Sequence, residues 1–176
     1  MARIRPLNPN EVDNEAKEIF EDFLKERGNI PNMFRTLAYR PVLLKTAFDH
    51  FRAVLKTGTV DFKLKEMIAV RVSQMNECAY WLSSHTAIAK GAGVSEDTIR
   101  EMENKLKNPE LFTEKELVAL EFAEVMTTDS NNVSDELYND MKKYFDDGEI
   151  IEIACVVGVF NYFNKFNNAL KTDITK

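Results

Sequence analysis

An all-α fold in a single domain is what this sequence predicts, on three observations. Apolar residues recur at three- and four-residue spacing along most of the chain, which aligns them on one face of a helix. Glycine and proline are few and fall at the breaks between these periodic stretches. The length of 176 residues, 44% of them hydrophobic, is enough for one sizeable core and short for two.

The elements follow in order. Val12, Ala16, Ile19, Phe20, Phe23 and Leu24 form the first apolar stripe, and Gly28 supplies a left-handed stop before "NIP". "NMFRTLAYR" is a short helical piece ended by Pro41, which fits the first turn of the next helix because no N–H is needed there; that helix runs to Gly58. Asp61 caps a helix over "FKLKEMIAVRVSQMN", and the run "NECAYWLSSHT" opens the following one, which stops near Gly91 and Gly93. Ser95 caps "EDTIREMENKL". Thr113 and Glu116 form a capping box ahead of "LVALEFAEVM", and Ser134 starts a further helix.

The last long helix, from about Glu149 to Ala169, holds the most apolar run, "IACVVGVF", and is expected at the centre of the core or at a subunit contact. Asparagines in "VFNYFNKFNN" are expected to bond across helix contacts. "IAVRVS" and "IACVVG" each open an apolar helix after a charged stretch, an echo that fits either an ancient duplication of a helix pair or two buried helices of similar composition.

Several function classes are set aside. Acidic residues outnumber basic ones, 29 to 23, and no stripe of lysine and arginine exists to follow phosphates, so no nucleic-acid partner is expected. "IACVVGVF" is far shorter than the roughly 20 residues that cross a bilayer, and no membrane role is expected. "MARIRPLNPNEV" reads as neither secretory signal nor transit peptide, so the expected location is cytoplasmic. Two distant cysteines, Cys78 and Cys155, make neither a disulfide framework nor a metal knuckle, and no metal or cofactor is called for.

Chemistry concentrates in residues 76–86. Cys78 falls at the start of a helix, where free amide N–H groups and the helix dipole favour a thiolate, so a reactive thiol is expected. Positions 78, 81, 82 and 85 share a face, which presents Cys78, Trp81, Leu82 and His85 together. At about 1.5 Å per residue, Cys78 and His85 lie roughly 10 Å apart along the axis, and Trp81 occupies the gap. Glu66, twelve residues before Cys78, enters the same pocket if the two helices pack as a hairpin, making a proton relay with His85. Trp81, Tyr80 and Leu82 are then the expected pocket wall.

The spacing Glu66, Cys78, position 81, His85 resembles the Glu, Cys-x-x-Cys, x-x-x-His signature of the AhpD-like branch of the carboxymuconolactone decarboxylase family. "IPNMFRTLAYRPVLLKTAFDHFRAVL", "KEMIAVRVSQMNECAYWLSSHTAIAKGAGVSEDTI" and "VGVFNYFNKFNNAL" are similar to its longer peroxidase-related members. The resemblance implies an all-α fold, homo-oligomers (dimer, trimer or hexamer), and peroxide reduction by a cysteine pair in which the second thiol attacks and the first resolves. Here Trp81 stands where that second thiol would be. Cys155 reads as helix core and a poor substitute.

Of three functions, the first is the one expected and the other two are its alternatives. The first is peroxide reduction at Cys78, with Glu66 and His85 as relay, a small hydroperoxide as substrate and an external thiol as reductant. The second is acid–base decarboxylation of a lactone acid, with His85 moving the proton and Glu66 orienting it; an anionic substrate would then need a cation, from Arg71 or a neighbouring subunit. The third is a noncatalytic oligomer with a ligand pocket walled by Trp81. Each residue also has a plainer reading: Cys78 as a packed thiol, His85 as a core histidine, Glu66 as a solvated neighbour of Lys65, Trp81 as core or plug, and His50 as surface or pocket lining.

Overall fold

Stops and caps read from the sequence become helix boundaries in the computed structural model, which describes residues 1–175. Among the described residues there are nine α-helices and no strands: α1 (Asn14–Arg27), α2 (Asn32–Leu37), α3 (Pro41–Lys56), α4 (Phe62–Met75), α5 (Ala79–Gly91), α6 (Glu96–Glu101), α7 (Glu114–Asp129), α8 (Asp135–Tyr144) and α9 (Asp147–Leu170). Gly28 ends α1 at φ 76°. Asp61, Ser95 and Ser134 each accept an amide N–H at the start of their helices, and the Thr113–Glu116 box is closed in both directions. Three boundaries differ: α1 starts at Asn14, capped by Asp13, which leaves Val12 outside the helix. α6 stops at Glu101 and gives way to a 3-10 turn over Met102–Asn104, while α9 starts at Asp147 because Asp146 and Glu149 form a capping box of their own.

The centre of the fold is α4, which packs against α5, α7 and α9. Leu64 through Val70, Val72 and Ser73 are all buried, so this helix is enclosed on every side rather than amphipathic. The last helix shares that core through Ile153, Val156, Val157, Phe160 and Phe163. Its asparagines bond across helices as their spacing leads one to expect: Asn76 Nδ2 donates to Asn161 Oδ1 at 2.9 Å, Asn161 Nδ2 to Thr127 Oγ1 at 3.0 Å, and Ser73 Oγ to Asn164 Oδ1 at 3.2 Å. No helix among the described residues is long and apolar enough to cross a membrane.

Two local features position the α4–α5 hairpin. A Schellman turn ends α4: Glu77 N–H donates to the Gln74 carbonyl at 3.0 Å and Cys78 N–H to the Ser73 carbonyl at 2.9 Å. Glu77 takes the left-handed conformation, φ 50°, that glycine usually fills. Lys65 is not a solvated residue but 1% exposed. Its ammonium donates to the Val54 and Thr57 carbonyls at 2.9 and 2.6 Å and pairs with Glu152 at 3.0 Å, locking the end of α3 to α4 and α9. Glu152 also accepts from the Thr59 and Val60 amides, and Gly58, at φ 87°, leaves no room for a Cβ beside that carboxylate.

Candidate acid–base site

Packing of α4 against α5 brings Glu66 and His85 together. Oε2 of Glu66 lies 2.6 Å from Nδ1 of His85, and both side chains are 1% exposed. A carboxylate on Nδ1 fixes the orientation of the ring and leaves Nε2 as the nitrogen available for proton transfer. His85 Nε2 and Glu66 Oε1 have no hydrogen-bond partner among the described residues, and neither does the Trp81 indole N–H. Each such buried group costs about 1–3 kcal/mol, so a cluster of three marks a place where stability has been given up.

Trp81 fills the space predicted for it. Its ring stacks on Phe163 at 5.7 Å and 14°, meets Phe160 at 5.7 Å and Phe51 at 5.9 Å, and touches the His85 ring at 4.9 Å. Phe160 also meets the His85 ring edge-on at 4.8 Å. The imidazole therefore has a carboxylate on one nitrogen and aromatic rings around the rest.

Cys78 has a different setting, in which burial works against the expected thiolate. The residue is the N-cap of α5, 0% exposed, and its side chain makes neither a capping hydrogen bond nor one with His85. Burial pushes the thiol above its ordinary value, and the Trp81 and Tyr80 amides facing the sulfur offset this only in part. Loss of water outweighs the helix end because the sulfur is enclosed by core.

The remaining candidates separate. Tyr80 is buried, accepting from the Met33 amide at 3.0 Å and bonding Thr175 at 3.0 Å, and it lines a cleft of about 260 Å³ together with Trp81. Leu82 is half-buried against the core and does not line that cleft. Arg71 is taken by Glu124 at 2.6 Å, which removes it as a substrate cation. His50 is exposed, and Cys155 is half-buried rather than core. Sequence reasoning missed Lys65 and Arg27. A lysine within a helix apolar on all sides was a usable signal for the first; nothing local points to the second.

A helical protein whose central helix pair holds a buried carboxylate–imidazole pair beside a lone thiol is the class defined by this fold and site. Residues 41–125, which contain Glu66, Cys78, Trp81 and His85, match the model of the Carboxymuconolactone decarboxylase family. That segment of the chain is similar to the family over its central helices. It is 28% identical over 116 residues to the uncharacterized protein YdfG of Bacillus subtilis (strain 168), spanning 65% of this chain and 78% of that protein. A peroxidase-related protein from Silicibacter sp. TM1040 superposes with a TM-score of 0.84 at 24% identity, over 97% of this chain and 92% of that one. The debrominase Bmp8, solved as a cysteine-to-alanine variant with 2,3,4-tribromopyrrole, superposes with a TM-score of 0.83 at 22% identity, over 98% and 91%. At these identities the structural likenesses establish the fold alone.

Proposed function

We propose that this protein is an acid–base catalyst of the decarboxylase type, with His85 as the proton carrier and Glu66 as the residue that orients it. The observation that carries this reading is the buried 2.6 Å contact at Nδ1 together with the unpartnered Nε2. Decarboxylation breaks a C–C bond, leaves its electron pair on the substrate and requires a proton at that carbon. His85 supplies the proton from Nε2 while Glu66 stabilises the imidazolium, and solvent restores it afterwards. Since His85 is 1% exposed, turnover requires one of the rings that enclose it, Trp81, Phe160 or Phe51, to move aside. The test is CO₂ release from a carboxymuconolactone. Cys78→Ala is expected to stay within a few-fold of the parent, while His85→Ala loses about 100-fold or more. The reverse pattern contradicts the reading.

A second reading is peroxide reduction at Cys78, favoured by the Tyr80 and Trp81 amides that face its sulfur. A thiolate would attack a small hydroperoxide, the O–O bond would break to release the alcohol, and an external thiol would reduce the sulfenic acid through a mixed disulfide. A gain of one oxygen mass on Cys78 after mild peroxide supports it; an unmodified Cys78 argues against it. Homo-oligomers belong to either reading, and exposed Ile151 and Tyr162 on α9 offer apolar area for them. Light scattering that returns a single-chain mass of 20.2 kDa contradicts that part.

A further inference from the structure

Trp81 faces two ways. Its ring touches His85, and it also lines the cleft of about 260 Å³ that His85 does not reach. The opposite wall carries Arg27, in the last turn of α1. Among the described residues Arg27 makes no hydrogen bond or ion pair, and none of those lining the cleft is acidic. Neighbouring clefts are different: one sets Arg35 beside Asp173, with the guanidinium already held by the Leu7 carbonyl, Asn8 and Asn32, and another mixes Lys171 with Glu77 and Asp173. In a chain of net charge -6, a concave surface with one uncommitted cation and no acid is a place for an anion. The charge of Arg27 is also felt at the Tyr80 phenol, which places it close to the cleft wall.

The other groups narrow the ligand. Pro31, Ala87, Ile88 and the indole are apolar, whereas Ser84 donates to the Trp81 carbonyl at 3.4 Å, a long bond that a rotating hydroxyl can exchange for a better acceptor. We propose that this cleft binds a small apolar carboxylate: the Arg27 guanidinium forks the carboxylate, Ser84 donates to it, and the ligand body lies against Pro31, Ile88 and Trp81. A single guanidinium balances one negative charge, which favours a monoanion over phosphate. The volume is below the roughly 300–1,000 Å³ of drug-sized pockets, so the ligand is small. Binding rests on the cleft alone; only its role as the anchor for a substrate acid rests on the acid–base reading.

Benzoate serves as the probe, with neutral benzamide as its isostere and inorganic phosphate as the other anion. Trp81 is the only tryptophan, so its emission reports on the cleft, and calorimetry on the same samples covers a silent indole. Benzoate is expected to bind saturably, phosphate and benzamide at least about 10-fold more weakly, and Arg27→Gln to weaken benzoate by about 10-fold or more. Benzoate binding is read without turnover, so absent binding reports failure of this site whatever the CO₂ assay returns, and absent CO₂ release with intact benzoate binding reports failure of the acid–base reading alone. Equal binding of benzoate and benzamide, tighter phosphate, unchanged affinity in Arg27→Gln, or no binding by either method overturns the proposal.

Discussion

The N-cap and the middle of α5 are equally buried and chemically unlike. Cys78 at its first turn and His85 two turns later are 0% and 1% exposed. Only His85 has a polar partner from another helix, Glu66 at 2.6 Å, while burial drives the Cys78 thiol away from ionisation. A buried group is readied for chemistry by what faces it rather than by its place on a helix, because desolvation penalises every charged form and only a partner offsets it. Trp81 stands between Cys78 and His85, and the rings it meets are all aromatic.

The largest expected break in this comparison is catalytic, the loss of about 100-fold or more for His85→Ala set against a few-fold change for Cys78→Ala. Next comes Trp81→Ala, which empties a space bounded by Phe51, Phe160 and Phe163 and should lower unfolding free energy by about 3–5 kcal/mol in urea titration. Glu66→Ala strips the histidine of its partner in a closed site, with an expected loss of about 3 kcal/mol; a loss below about 1 kcal/mol would mean that the pair is worth little.

A smaller effect separates the neighbours Lys65 and Glu66. Burial pushes the Glu152 carboxyl up, but the Thr59 amide, the Lys65 ammonium and the Val60 amide together hold it below its ordinary 4.5. A depressed folded value gives stability that is full above the unfolded value and is lost as pH falls through the folded one. Parent protein should therefore lose stability on acidification below about pH 4.5 more steeply than Glu152→Gln, by urea midpoints at successive pH values. Smallest of all is Glu77→Gly. It relieves a left-handed residue worth about 1–2 kcal/mol but frees the unfolded chain by about 0.4–1 kcal/mol, so a net gain between about 0 and 1.6 kcal/mol is expected in the same titration.

Most of the fold was legible because caps and stops are local. Gly28, Asp61, Ser95, the Thr113–Glu116 box and Ser134 each act within three or four residues of the boundary they set. The filling of the gap by Trp81 was legible from helical spacing, whereas the Glu66–His85 meeting was legible only through the family motif and an assumed hairpin of the two helices. What escaped depends on distant chain. Lys65 is held by Val54, Thr57 and Glu152, the last 87 positions away, and the state of the Cys78 thiol depends on core closing over it from helices that spacing does not place. Arg27 faces α5 only because α1 ends beside it, a relation that no periodicity records.

Peptide-resolved alkylation of the native protein with iodoacetamide at neutral pH measures the contrast along α5 most directly. The expected result is that Cys78 stays unlabelled in folded protein and labels fully once the chain is unfolded in urea. Labelling of Cys78 in the native state at the rate of a free cysteine would contradict the account and return the thiol to the centre of the site.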